Sequence, residues 1–125
     1  MSGQSGSSRP REISRLCYAF AQKEDPSKTI VTLHVTYPPD AMTPPHTHKN
    51  CSASAYIMSG SIRMATNNGP PTIYFAGEGN YESPDDHNTL CENPSKVEPT
   101  IFIATFYIDT AIWEKEGLDA LFKLD

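Results

Sequence analysis

Pro44-Pro45-His46-Thr47-His48, followed by Ala55-Tyr56-Ile57-Met58-Ser59-Gly60, is the stretch on which the reading of this chain turns. Side chains on an extended segment alternate between two faces, so His46 and His48 point the same way. Two imidazoles side by side suit a divalent transition metal. The Pro-Pro turn before them and the alternating run after them, ended by Gly60, place the pair at the edge of a β-structure.

Working outward, short alternating runs recur between turn residues, as in an all-β sandwich or barrel. Thr29 to Tyr37 sets Val31, Leu33, Val35 and Tyr37 on one face against Ile30, Thr32, His34 and Thr36 on the other. Strands are expected over 54–59, 61–66, 71–75, 80–82 and 87–91. Asn67-Asn68-Gly69 reads as a hairpin turn, because Asn and Gly accept positive φ. Residues 99–109 form the longest run. Ile101, Ile103 and Tyr107 lie on one parity and Phe102, Ala104, Phe106 and Ile108 on the other, which predicts a central strand buried on both sides. From Thr110 the period becomes helical, with Leu118, Leu121 and Phe122 on one side, Asp109 or Thr110 as the cap, and Gly117 as a break.

The chain has 125 residues and a net charge of −5, with 38% hydrophobic residues, enough for one domain with a real core. The acidic balance argues against a nucleic-acid partner. No apolar run reaches transmembrane length, and no signal peptide opens the chain, so a cytoplasmic location is expected. Cys17, Cys51 and Cys91 are widely spaced and odd in number, as free thiols in a reducing compartment would be. Residues 1–10 read as a disordered leader, 11–109 as the barrel and 110–125 as a helical tail. The segment from Arg9 to Ala19 reads equally as a barrel strand or a swapped edge strand.

Two motifs resemble those of single-domain cupins, a family of small β-barrels or jelly rolls. One is His46-Thr-His48 with the strand ending at Gly60. The other is Gly77-Glu78-Gly-Asn-Tyr-Glu82-Ser-Pro84-Asp-Asp-His87-Asn88, followed by Asn93-Pro94 and the long apolar strand. The resemblance covers roughly residues 28–108. It implies a metal-dependent small-molecule enzyme, a homodimer, and a divalent metal (Fe, Zn, Ni, Mn or Cu) held by His46, His48 and His87. The reaction would be of the isomerase, cyclase, lyase or dioxygenase type on a small oxygenated organic substrate. The alternative is a metal-free cupin that binds a ligand without transforming it.

Two departures matter. The family's first motif usually carries a Glu seven residues before the closing Gly, and that position here is Ala53. In the second motif, either His87 or Asn88 takes the third ligand position, since a one-residue slip reverses the face. Glu82, next to this motif, is the candidate acid–base group or substitute ligand. Tyr56 is the candidate pocket-wall hydroxyl. Arg63 and Asn88 are candidate substrate contacts, Arg63 for a carboxylate.

Overall fold

The computed structural model describes residues 8–48 and 50–125 as two five-stranded antiparallel sheets packed face to face. The strands are β1 (Ile13–Ala21), β2 (Lys28–Tyr37), β3 (His46–Thr47), β4 (Cys51–Ser59), β5 (Ser61–Thr66), β6 (Thr72–Phe75), β7 (Gly79–Glu82), β8 (His87–Glu92), β9 (Thr100–Asp109) and β10 (Lys123–Leu124). The first sheet runs β1-β2-β9-β4-β7 and the second β10-β3-β8-β5-β6. The tail holds one short helix, α1 (Thr110–Glu116), and a 3-10 turn over Gly117–Ala120.

The alternation in β2 does what it foretells. Val31, Leu33, Val35 and Tyr37 are buried between the sheets, beside Ile57, Phe106 and Ile108 of the same sheet and in one core with Ile62 of the opposite sheet. Removing these apolar faces from water is the main force joining the sheets. The β5–β6 hairpin turns on Asn67 and Asn68, at φ 54° and 61°, with the Gly69 N–H donating to Thr66 O. Two successive positive φ values define the turn whose twist matches paired strands. Gly60, at φ 79°, turns β4 into β5 where a Cβ would stand 2.6 Å from Pro99 O and Thr100 Oγ1, so no larger residue fits.

Several expectations need correcting. β9 is central, third of five, but only its Ala104/Phe106/Ile108 parity is buried; Ile101 and Ile103 are half-exposed and Tyr107 is exposed. No element of this chain among the described residues packs over that outer face. The helical tail ends in a strand, β10, paired with β3. Gly117 does break the helix, at φ 63°, and Asp109 stands at its N-cap position, though without a side-chain hydrogen bond to the helix backbone. Asp109 binds Lys28 instead, and Thr110 Oγ1 donates to Pro26 O.

Of the expected leader, residues 1–7 lie outside the described residues. Arg9 and Pro10 are tied to the barrel: Arg9 binds Glu92 Oε1 at 3.0 Å and Asp40 O at 2.9 Å, and Pro10 O accepts from Met42 N. β1 then pairs with β2 of its own chain, as the sheet's edge. The three cysteines are free thiols, as expected.

Candidate functional site

The two histidines enter the barrel together. His46 and His48 are both buried, with ring centroids 5.1 Å apart. Each ring is oriented by a backbone carbonyl, Pro44 O for His46 Nδ1 and Leu121 O for His48 Nδ1, both at 2.8 Å. A carbonyl only accepts, so both Nδ1 atoms carry the proton and each Nε2 faces the interior. The second carbonyl comes from the tail. Leu121 is buried in the core, and the Phe122 ring lies 5.3 Å from that of His46.

Pairing with β3 settles which residue of the second motif faces inward. His46 pairs with Asn88 and Thr47 with His87, and residues directly opposite share a face. Asn88 is therefore buried beside His46. His87 is corrected from its expected ligand role: it stands outside, with Nε2 2.8 Å from Asp125 Oδ2.

Glu82 completes the group. On β7 it is paired with Ala53 of β4, the position that lacks the family's usual Glu. The small alanine leaves room for a carboxylate from the neighbouring strand. Glu82 is buried, with Oε1 2.6 Å from His48 Nε2 and Oε2 2.7 Å from Asn88 Nδ2. Asn88 Nδ2 also lies 3.3 Å from His46 Nε2. Both amide protons are thus engaged, while Asn88 Oδ1 is buried without a partner among the described residues.

Two neighbouring imidazoles are pushed in opposite directions. Burial lowers the His46 pKa below the ordinary 6.5, and the adjacent His48 adds to this, against the Pro44 hydrogen bond. Burial also acts to lower that of His48, but the hydrogen bond and charge of Glu82 outweigh it and the net shift is upward. His48 sits between two acceptors, Leu121 O and the Glu82 carboxylate, which favours a proton on both of its ring nitrogens, while burial disfavours a second proton on His46.

These side chains line a cavity of about 90 Å³ between the sheets, walled by Leu33, Val35, Ile57, Ile62, Phe102 and Phe106. A second polar group lines it as well. Cys91 S–H can donate to Tyr37 Oη at 3.1 Å, Tyr37 O–H to Thr43 Oγ1, and Thr43 O–H to Glu12 Oε1 at 2.6 Å. Nothing in the sequence singled out Tyr37, Thr43 or Glu12, because their meeting depends on the barrel closing.

The remaining candidates lie elsewhere. Tyr56 is on the outer face of the first sheet, 55% exposed, not on the pocket wall. Arg63 is paired with Glu92 at 2.9 Å and does not line the cavity. The donors do not fit a three-imidazole metal centre. His46 Nε2 meets an amide N–H, His48 Nε2 is taken by Glu82, and the third imidazole points away. Among the described residues no three His, Cys, Asp or Glu side chains gather as ligands.

A two-sheet β-barrel with its polar groups converging inside an apolar cavity defines a class of small-molecule-binding barrels. Residues 18–106 match the family model described as cupin, and the chain belongs to that family. Among solved structures it is similar to an uncharacterized conserved protein with a double-stranded β-helix domain from Klebsiella pneumoniae. That match has a TM-score of 0.64 and 19% identity, over 91% of this chain and 84% of that one. It is also similar to the Schizosaccharomyces pombe Cnp3 cupin domain (0.61, 19%, 84% and 68%) and to KdgF from Halomonas (0.61, 11%, 78% and 78%). At these identities the likeness shows the fold alone. No curated protein matches the sequence. No described helix is long and apolar enough to cross a membrane.

Proposed function

We propose that this cupin is a small-molecule enzyme that moves protons within its barrel, in reactions of the isomerase or lyase type. One observation carries the reading: two imidazoles 5.1 Å apart have surroundings that shift their pKa values in opposite directions. Groups whose surroundings push their pKa values apart divide into acid and base. Neutral His46 offers Nε2 as the base. The His48–Glu82 pair is the acid, giving its proton to a substrate oxygen. The apolar walls exclude water and strengthen these charges. No step passes through a metal.

The test is proton exchange by NMR. In D₂O, the wild type is expected to place deuterium on the carbon next to the carbonyl of a small α-hydroxyketone such as hydroxyacetone. Glu82→Gln and His46→Ala are expected not to. Failure of exchange with the fold and ligand binding intact would replace this reading with a second one, a binder without turnover. What favours that alternative is that the N–H groups of His46, His48 and Asn88 already have partners.

The same proposal takes the working unit as a homodimer, joined through the outer face of the first sheet. Tyr18, Phe20, Tyr81 and Tyr107 are each at least two-fifths exposed there.

A further inference from the structure

Glu82 borders a second space besides the inner cavity. β6 and β7 are edge strands of their sheets, and the chain passes from one to the other between Phe75 and Gly79. Where these two edges part they leave a cleft of about 180 Å³. Met64, Asn80 and Glu82 line both the cleft and the cavity. Register fixes the faces. Thr72 and Tyr74 stand opposite Met64 and Ile62, so they share the inward face of the second sheet. Asn80 lies two residues from Glu82, on the inward face of the first.

The partition between the two spaces is slight. Asn80 Nδ2 donates to Met64 Sδ at 2.8 Å, joining β7 to β5 across the gap. A thioether is a weak acceptor, and methionine turns about three bonds, so this contact opens at small cost. The two spaces also differ in chemistry. The cavity wall is mostly aliphatic and aromatic. The cleft is lined by the hydroxyls of Thr66, Thr72 and Tyr74, none of which is hydrogen-bonded to another described residue. Water or a ligand must satisfy them.

We infer that this cleft is the mouth of the cavity and the seat for the far end of the substrate. The substrate is then an extended molecule. Its reacting carbonyl end lies beside His46, His48 and Glu82, and its hydroxylated tail meets Thr72, Tyr74 and Asn80 once the Met64 side chain has moved aside. The inference rests on the proton-transfer reading for which end reacts, and it adds the length and polarity of the rest. An apolar tail in the cleft would strip water from these hydroxyls and give nothing back.

The test compares two hydroxyketones with the same head and the same non-hydrogen atom count, by NMR titration of the wild-type protein in D₂O. They are erythrulose, with a hydroxylated tail, and 1-hydroxy-2-hexanone, with an apolar one. Erythrulose is expected to bind about tenfold more tightly, the gain that two neutral hydrogen bonds give, and its tail protons are expected to show contacts to the Tyr74 ring. Thr72→Val combined with Tyr74→Phe, checked for folding by its amide spectrum, is expected to erase the preference. Hydroxyhexanone binding as tightly as erythrulose, or an erythrulose tail without contact to Tyr74, would overturn the inference while leaving the inner site standing. Erythrulose preferred without deuterium exchange in either probe would sustain the subsite and remove the proton-transfer reading. Binding of neither would overturn both the subsite and the ligand site behind it.

Discussion

Asn88 lies directly opposite His46 in the β3–β8 pair, its amide nitrogen 3.3 Å from the imidazole Nε2. An amide N–H thus occupies the ground on which a third imidazole would complete a metal centre. Asn88→His is expected to convert the site, giving near-stoichiometric zinc or nickel after reconstitution where the wild type retains little. His87→Ala is expected to leave metal content unchanged, because His87 is outside with Asp125. Elemental mass spectrometry of the three proteins decides it. Stoichiometric metal in the wild type would show that the four side chains rearrange to ligate.

The opposed shifts of the two imidazoles predict a pH profile with two limbs. His46 is lowered from 6.5, so falling pH protonates the base. His48 is raised from 6.5, so rising pH removes the proton of the acid. Turnover should be highest near 6.5 and fall on both sides. Glu82→Gln removes what raises His48, so the alkaline limb should move to lower pH, and kcat/KM should drop by about 10²-fold or more. The linkage to stability has a definite sign. The raised His48 stabilises the fold fully below 6.5, and that contribution is lost as pH rises through its folded pKa. Denaturant midpoints of wild type and Glu82→Gln should differ more at pH 6 than at alkaline pH; an equal gap at both would discount the ion pair.

Local pattern carried much of this fold, and its limits have physical causes. Alternation in β2, the Asn67-Asn68 turn and Gly60 were legible because each depends on a few adjacent residues. The inward pairing of His46 with His48 was legible for the same reason. The choice between His87 and Asn88 was not, since it rests on pairing with β3, more than forty residues earlier. Tyr56 and Ile103 lie opposite each other on a face that alternation alone does not assign to inside or outside. In the tail, the helical spacing of Leu118, Leu121 and Phe122 says nothing about a carbonyl that returns to His48.

That return makes the tail part of the site. Leu121 is 1% exposed, its carbonyl orients His48, and the Cys51 thiol also donates to it at 3.6 Å. Leu121→Ala should cost about 2–5 kcal/mol, as other buried leucine truncations do. Ending the chain at Glu116 should do more, freeing His48 Nδ1 and leaving β3 without its β10 partner. Nitrogen-15 spectra of the His48 ring would report the change: a protonation state and tautomer unaltered by truncation would mean that the carbonyl does not hold the ring.

The outer face of the first sheet carries the last prediction. Rows of directly opposed residues cross it: Ile13, Thr36 and Ile101; Arg15, His34, Ile103 and Tyr56; Tyr18, Thr32, Thr105, Ser54 and Tyr81; Phe20, Ile30, Tyr107 and Ser52. Apart from the tyrosines, only Arg15 and His34 in these rows are ionisable. A second copy of an acidic chain can approach there without bringing like charges together. Ile13, Tyr18, Phe20, Tyr56, Tyr81 and Tyr107 are all exposed on this face, and a standard two-partner interface buries about 800 Å² on each side. Light scattering on the eluting protein should therefore give twice the chain mass at micromolar concentration. Tyr56→Lys combined with Ile103→Lys, at the centre of the face, should give a folded monomer, because each copy would then have to bury two unpaired ammonium groups. A wild type that elutes as a monomer at the same concentration would leave this face to some other partner.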